Sequence, residues 1–207
     1  RLTVGKIKSG QIGFQLGPRL NAAGRLNSAL AAYELLTTHN AERANELASH
    51  LDAQNLHRQE LTEWTTERAR QLATTEPDQI VLFAIDSNFN PGVVGLAAAR
   101  LMQDLYRPSF VGHIDSEHVV GSARSIPEFH ITEALDLCAD LLERYGGHAV
   151  AAGFTVLPHN LPLLQARLRR IAQEQLANCD LRPLLRIDLE VSLSELSLEL
   201  LQQLQAL

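Results

Sequence analysis

Residues 80–106 read IVLFAIDSNFNPGVVGLAAARLMQDLY, and this stretch decides the fold class. Residues 80–85 are an unbroken apolar run of strand length, as expected for a strand that is buried on both faces. Asn90 then predicts the N-cap of a helix over residues 93–106, with Pro91 at its first position. A buried strand that leads through a turn into a helix is typical of an α/β domain.

The sequence after this stretch continues to alternate strands with helices. Residues 109–114 and 119–123 are predicted as two strands joined by a polar turn. The remaining predicted elements are a helix at 131–145, a strand at 153–157, a helix at about 160–177, an alternating segment at 184–191 that begins another sheet, and a helix at 197–205.

The sequence before residue 80 has a different pattern, with recurring glycines followed by long helical spacing. Glycines recur through residues 1–27, which are therefore predicted as loop, and residues 26–37 are predicted as a short helix. Asn40 is the predicted N-cap of a long helix over about residues 41–74. Its apolar residues keep helical spacing except in a polar middle at 54–59, which is typical of a connector between two lobes.

Charge is unevenly distributed along the 207 residues. The net charge is −6, but residues 1–33 hold five basic residues and no acidic residue, so the remainder carries −11. A basic, glycine-containing end favours local contact with phosphate. Charge alone fits equally well with an end that lacks acidic neighbours from a longer protein. Because the chain begins with Arg1 and ends in an apolar helical pattern, we expect it to be a piece of such a protein.

Composition also bears on the compartment. Cys138 and Cys179 are far apart and have no C-x-x-C spacing, so they are predicted as buried thiols in a reducing compartment rather than zinc ligands. No apolar run reaches eighteen residues and no leader sequence is evident, so we expect a cytoplasmic protein with no membrane contact.

The sequence contains no self-sufficient catalytic motif. H-E-x-x-H, G-x-S-x-G, a P-loop and a G-x-G-x-x-G after a strand are all absent. The acidic pairs Asp136/Asp140 and Asp115/Glu117 are isolated, which fits a solvated surface better than a metal site. We therefore predict no metal ligands in this chain.

Glycine-flanked polar residues stand instead at the junctions of the predicted elements. In GPRLNAAGRL (17–26), small neighbours let Arg19, Asn21 and Arg25 approach a phosphate closely. Asn90 follows a buried strand and opens a helix, where free N–H groups attract anions. Ordinary helix caps and a capped turn are the alternative explanations.

Two further segments have the same character. In GSARS (121–125), Ser122 and Arg124 are two residues apart and so point to one side of a strand, unless they are merely the solvent face of an edge strand. In RYGGHAVAAGF (144–154), glycines and alanines surround His148, so something bulky is expected close to the backbone. A phosphate, a base and a tightly packed helix are all candidates.

Taken together and in this order, these segments resemble the later part of the DHH/DHHA1-family phosphoesterases, most closely the RecJ-type single-strand-specific exonucleases. Any one motif would be weak, but four in register are specific. The motifs are GPRLNAAGRL (17–26), NPGVVGLAAARL (90–101), GSARS (121–125) and GGHAVAAGF (146–154), the last being the DHHA1 signature.

The resemblance implies a domain organisation. A DHHA1-type α/β domain with a central mixed sheet is expected, preceded by a long connector helix and the tail end of the DHH domain. The implied bounds are 1–39 for the end of the DHH domain, 40–76 for the connector, 77–180 for the DHHA1 domain and 181–207 for the start of an oligonucleotide-binding fold.

The resemblance also implies an activity. Such enzymes hydrolyse single-stranded DNA from its 5′ end at a Mn²⁺ or Mg²⁺ cluster, whose Asp and His ligands lie in the first lobe. That metal motif is absent from these residues, so the chain alone is expected to bind no metal and to be inactive. The implied partners are single-stranded DNA and DNA-repair or single-strand-binding proteins.

Site residues follow from the matching motifs. His148 is expected to contact the scissile phosphate as a catalytic residue, and Ser122 and Arg124 to bind a substrate phosphate at the 5′ end. The remaining expected substrate-binding residues are Gly146, Gly147, Asn90, Arg19, Asn21 and Arg25. Many relatives have His where this chain has Asn90, and an amide can donate a hydrogen bond but carries no charge.

Two alternatives remain at this point. One is an oligoribonuclease or cyclic-dinucleotide phosphodiesterase of the same superfamily, although these usually end soon after the GGH segment. The other is a non-catalytic nucleic-acid-binding or protein-partner module, which the acidic charge after residue 33 favours because DNA-binding proteins are usually basic.

Overall fold

The computed structural model describes Thr3, residues 5–75 and residues 79–206. Its helices are α1 (Ser9–Gln11), α2 (Gly17–Leu26), α3 (Leu30–Thr37), α4 (Ala41–Ala73), α5 (Val94–Leu105), α6 (Ile131–Asp136), α7 (Leu161–Leu176) and α8 (Leu198–Ala206). A π-helical segment, Ile12–Leu16, joins α1 to α2, and short 3₁₀ turns lie at Ala139–Leu141, Pro158–Asn160 and Leu193–Glu195. Within the described residues, no helix combines the length and apolar character needed to cross a lipid bilayer.

A single five-stranded sheet organises the described part of the chain. Its strands are β1 (Leu82–Asp86), β2 (Ser109–Ile114), β3 (Val119–Arg124), β4 (Leu142–His148) and β5 (Ala151–Val156). They lie in the order β1-β2-β3-β5-β4. β1 and β2 are parallel and the other neighbours are antiparallel, so the sheet is mixed, as expected. The strands predicted at 80–85, 109–114, 119–123 and 153–157 are confirmed to within two residues.

The two faces of the sheet bury different cores. On one face the rings of Phe83 and Phe110 stack with centroids 5.0 Å apart, and Phe154 packs edge-on against Phe110 at 5.6 Å. Residues of α6 and α7 complete this core. On the other face, α5 and the end of α4 cover β1 and β2 with small and aliphatic residues, including Ala69, Ala73, Ala97, Ala98 and Leu101. Because β1 is covered on both sides, an unbroken apolar sequence suits it.

The long helix α4 begins where the sequence predicts. The side-chain oxygen of Asn40 accepts hydrogen bonds from the backbone N–H groups of Glu42, at 2.9 Å, and Arg43, at 3.1 Å. These bonds satisfy two of the donors that a helix start leaves without intrahelical partners. Leu51, in the first half of α4, packs with residues of α2 and α3, whereas Ala69 and Ala73, near its end, pack with residues of β1 and α5. The helix therefore contacts both groups of elements, while its role as a connector between two lobes stays a prediction.

The prediction that residues 1–27 form a loop is wrong. From Ser9 to Leu26 the chain is helical through α1, the π-helical segment and α2. Glycine is a poor helix former, but propensity is a weak preference that packing overrides. Here Ala22 and Ala23 are fully buried, because α2 lies against α4.

The predicted helix at 131–145 is also wrong in its second half. Helix α6 ends at Asp136, a 3₁₀ turn follows at Ala139–Leu141, and β4 begins at Leu142. An apolar stripe continues across this change of structure, because Leu135, Cys138 and Leu141 are all buried in the larger core. Its last members reach that core from a turn, because the residues after them pair with β5 instead of continuing the helix.

Two expectations for the end of the chain are not met. No strand forms at 184–191 within the described residues, and Leu184 is 89% exposed there, because the segment pairs with no other strand. Cys179 is exposed rather than buried. Cys138 is buried as expected, and burial raises the pKa of its thiol to about 11. The helices predicted at about 160–177 and at 197–205 are confirmed as α7 and α8.

Candidate nucleic-acid interface

One face of the sheet is only partly covered. On this face α5 packs against β2 and β3, and α4 packs against α5 and β1. Side chains alternate between faces along each strand, so the register identifies which residues share the uncovered part. We call this part the open face, and its residues are Val120, Ser122, Arg124, Arg144, Gly146, His148, Ala151, Gly153 and Thr155.

Ser122 and Arg124 lie side by side on β3, as their spacing predicts. A Cβ built on Gly95 would lie 3.2 Å from the Ser122 hydroxyl oxygen and 3.2 Å from Nη2 of Arg124. The missing side chain at Gly95 therefore lets both polar groups reach the first turn of α5. Within the described residues, the backbone N–H groups of Val94 and Gly95 have no acceptor. A hydroxyl, a guanidinium and a helix N-terminus together form a favourable anion site.

Asn90 shapes the turn before α5, although it is not the N-cap of the helix. Its side-chain oxygen accepts a hydrogen bond from the backbone N–H of Gly92 at 2.8 Å. The N-cap is Val93, which makes no side-chain hydrogen bond, and the helix begins at Val94. The predicted cap is corrected because three turn residues, 91–93, separate Asn90 from the helix. Asn90 therefore sets the path of the turn.

The turn contacts the end of α2. A Cβ on Gly92 would lie 1.9 Å from the carbonyl oxygen of Arg25, so only glycine fits at this contact. Nη1 of Arg25 also lies 3.5 Å from the carbonyl oxygen of Gly92. This contact joins the segment 17–26 to the start of α5, two of the four motifs that the sequence singled out.

Arg58 is a functional candidate that sequence reasoning missed. It lies in the polar middle of α4, where Nη2 donates a 3.0 Å hydrogen bond to the side chain of Asn55 and Nε is buried without a partner. Burial lowers the pKa of Arg58, and the charges of Arg25 and Arg100 lower it further. The sequence does contain a signal for Arg58. It lies on the same helical stripe as the buried residues Leu51 and Asn55, and this stripe continues through the polar middle of α4.

Arginines converge near this anion site without carboxylates to balance them. Burial lowers the pKa of Arg124, and the nearby charge of Arg25 adds to the effect. Within the described residues, Arg25, Arg58, Arg100 and Arg124 form no ion pair with Asp or Glu. Like charges in a partly buried site repel one another, so an anion bound among them would be stabilising.

His148 lies across the open face from Arg124. It is opposite Ala151 on β5, and Ala151 is opposite Arg124 on β3. Two strand spacings separate their backbones by about 9–10 Å. The imidazole is exposed, and the His148 carbonyl oxygen accepts a 2.8 Å hydrogen bond from the hydroxyl of Thr132. This bond anchors the end of β4 while leaving the side chain free to meet a ligand.

The two glycines before His148 differ in what surrounds them. A Cβ on Gly147 would lie 2.2 Å from the carbonyl oxygen of Ala151, so the strand pairing itself requires glycine there. A Cβ on Gly146 would meet nothing within 4 Å. Gly147 therefore serves the close approach of the strands, while Gly146 leaves bare backbone on the open face.

We call Arg25, Arg58, Arg100 and Arg124 the arginine cluster. Arg19 and Asn21 lie on the same helix as Arg25 but do not join this cluster. Arg19 forms an ion pair with Asp52 on α4 and donates a 2.6 Å hydrogen bond to the carbonyl oxygen of Gln15. Six positions along a helix turn Arg19 roughly 240° from Arg25 about the helix axis. Asn21 is exposed and makes no side-chain hydrogen bond within the described residues.

The described residues do not offer a metal site. In Thr3, residues 5–75 and residues 79–206, no three His, Cys, Asp or Glu side chains are grouped so that they could hold a metal ion. The charged groups at the candidate site are cationic and would repel a metal ion. What the arrangement can do is bind a phosphate or another anion.

Comparison with known proteins places this geometry in a family context. Residues 77–174 match the DHHA1 domain. The chain is 36% identical over 207 residues to the single-stranded-DNA-specific exonuclease RecJ of Bacillus subtilis, covering 99% of this chain and 26% of that protein.

Solved structures give the same result. RecJ from Thermus thermophilus in complex with Mg²⁺ matches with a TM-score of 0.74 at 34% identity, over 81% of this chain and 26% of that one. A structure of exonuclease RecJ bound to manganese matches with a TM-score of 0.72 at 32% identity, over 84% of this chain and 44% of that one. The chain thus spans between 26% and 44% of the length of these three proteins.

Proposed function

We propose a function from one premise: the chain carries a DHHA1 domain and is homologous to the RecJ single-stranded-DNA-specific exonucleases. The proposed parent protein is a hydrolase that cuts phosphodiester bonds of single-stranded DNA from the 5′ end. In this proposal the present chain supplies the substrate-binding side of the active-site cleft.

One observation carries the proposal. Ser122 and Arg124 face the first turn of α5, beside a set of arginines that have no carboxylate partners within the described residues. Phosphate contacts dominate the affinity of proteins for nucleic acids, and charge-assisted hydrogen bonds from arginine are among the strongest available. We assign this site to the 5′-terminal phosphate of the strand, held by Ser122, Arg124, Arg25 and the free N–H groups at the start of α5.

His148 is proposed to contact the scissile phosphate. The imidazole is exposed on the open face, and two strand spacings separate its strand from that of Arg124. A strand whose end is held at Ser122 and Arg124 would therefore pass close to His148 about 9–10 Å further on. Donors placed where charge develops during the reaction contribute strongly to catalysis.

The catalytic metal is proposed to come from another part of the parent protein. The related solved structures are complexes with Mg²⁺ or Mn²⁺, whereas the residues described in this chain do not form a metal site. Metal ions in such sites activate water and stabilise the leaving oxygen. We therefore expect the chain by itself to bind strands but not to hydrolyse them, with single-stranded DNA as its partner.

Substitution of Arg124 tests the proposal. Arg124→Ala in the full-length protein is expected to weaken binding of 5′-phosphorylated strands by about tenfold or more, because hydrogen bonds to charged groups are worth about 1.5–3 kcal/mol. Binding of strands with a 5′-hydroxyl should change much less. The measurement is equilibrium binding without divalent metal at several salt concentrations.

Arg170 provides a matched control. It is an exposed arginine on α7, which packs against the opposite face of the sheet. Arg170→Ala should bind both kinds of strand like the wild type. If Arg124→Ala keeps the wild-type affinity, salt dependence and preference for a 5′-phosphate, the proposed phosphate site is wrong.

A further inference from the structure

The open face extends beyond the residues assigned so far. Along β4, alternate residues Arg144, Gly146 and His148 share this face. Arg144 is opposite Thr155, which is opposite Val120 on β3. Four residues of strand place the backbone of Arg144 about 13 Å from that of His148. A second cation therefore lies on the same face, near the opposite end of β4 from His148.

Arg144 has no anionic partner in the described residues. Its side chain is exposed and forms neither an ion pair nor a hydrogen bond there. The adjacent acid, Glu143, lies 3.1 Å from Nε2 of His118 instead. Most other exposed arginines of the described chain are paired with a carboxylate, among them Arg43, Arg68, Arg170, Arg182 and Arg186. The charge of Arg144 is thus available to a ligand.

The surface between Arg144 and His148 is bare. Gly146 is opposite Gly153, and a Cβ on either would meet no protein atom closer than 3.9 Å. The fold therefore does not require glycine at these two positions, although glycine inside a strand weakens it. They contribute to a shallow depression of about 350 Å³ that is also lined by Arg144, Val120 and Thr155. A ligand that lies close to the backbone explains why side chains are missing there.

We propose that Arg144 is a second phosphate contact, which holds the nucleic-acid strand after it has passed His148 and crossed the floor formed by Gly146 and Gly153. This inference rests on the proposed function and extends the same site. The contact is to the backbone of the strand and does not depend on its sequence. Because the backbones of Arg144 and His148 are about 13 Å apart along β4, a strand that runs from Arg124 past His148 meets Arg144 only beyond its second nucleotide.

The test compares strand lengths. Arg144→Ala in the full-length protein should weaken binding of a strand of about 20 nucleotides by about threefold to tenfold and lower its salt slope by about 0.7, as expected for one lost phosphate contact. Binding of a 5′-phosphorylated dinucleotide should be unchanged. Arg144→Lys keeps the charge and should retain most of the affinity, and Arg170→Ala should match the wild type.

The outcomes separate this inference from the proposed function. If Arg144→Ala binds the long strand like the wild type while Arg124→Ala loses the 5′-phosphate preference, the role of Arg144 is wrong and the proposed function stands. If neither variant changes binding, the proposed function is itself wrong. An equal loss for the dinucleotide and the long strand would also overturn the role of Arg144, because it would mean a general effect on the site.

Discussion

A Cβ placed on Gly92 would lie 1.9 Å from the carbonyl oxygen of Arg25, closer than any side chain can approach. The contact joins the end of α2 to the turn before α5, two segments that are distant in sequence. It places Arg25 where its charge acts on both Arg58 and Arg124. The geometry of the arginine cluster thus depends on one glycine.

Gly92→Ala should separate these segments. Overpacking of this kind typically costs about 1–3 kcal/mol, and the displacement of Arg25 should also weaken binding of 5′-phosphorylated strands. The measurements are urea unfolding and strand binding. Gly24→Ala is the control, because a Cβ there would meet only the Cβ of Ala29 at 3.8 Å, an ordinary contact, and alanine favours the helix. Equal free energies of unfolding for Gly92→Ala and the wild type would contradict this prediction.

His148→Ala should lower turnover more than binding. If the imidazole contacts the scissile phosphate, its loss in the full-length enzyme should reduce kcat about a hundredfold, as for other donors that stabilise developing charge. The affinity for the strand, held mainly by the arginines, should fall much less. His159→Ala, an exposed histidine in the 3₁₀ turn before α7, is the matched control. A wild-type rate at saturating substrate would refute the assigned role.

Asp86→Asn should change how stability depends on pH. The Asp86 carboxylate accepts a 2.9 Å hydrogen bond from the backbone N–H of Asn88 and faces Nε of Arg68 at 3.2 Å. The Asn88 bond is the main cause that lowers the pKa of Asp86 below its usual 3.8 in the folded state, and Arg68 adds to it. The charged form is therefore stabilising above about pH 3.8, and this contribution is lost as the pH falls through the folded pKa.

The asparagine variant keeps the acceptor oxygen but carries no charge. The difference in free energy of unfolding between wild type and Asp86→Asn should be constant near neutral pH and shrink at lower pH. Urea unfolding at about pH 7 and about pH 3 measures it. The exposed Asp188, substituted in the same way, controls for general effects of charge removal. A difference that stays constant down to the lower pH would show that the folded protein does not favour the charged form of Asp86.

Much of the α/β domain could be predicted from local sequence. The strand at 109–114 was predicted with its observed bounds, because an apolar run stands between Pro108 and a polar turn. The start of α4 was predicted from Asn40, whose side chain caps the helix through local hydrogen bonds. Signals of this kind act over a few residues and do not depend on the rest of the fold.

The wrong predictions concern segments whose secondary structure depends on contacts with residues that are distant in sequence. Apolar spacing at Leu135, Cys138 and Leu141 suits a continuing helix as well as a helix followed by a turn. Pairing of residues 142–148 with β5 favours the second arrangement, in which a turn leads into β4. At residues 9–26, glycines predicted a loop, but burial of Ala22 and Ala23 against α4 made the segment helical.

By itself the sequence determined the alternation of strands and helices, the cap of α4, the shared side of Ser122 and Arg124, and the four motifs that resemble those of the RecJ-type exonucleases. Only the tertiary structure decided that Arg58 belongs with Arg25 and Arg124, that Arg19 is neutralised by Asp52, and that Arg144 shares a face with His148. The physical reason is the distance along the chain over which each kind of interaction acts. Side-chain periodicity and capping act over single turns of chain, whereas the meeting of these charges depends on strand register and helix packing between distant segments.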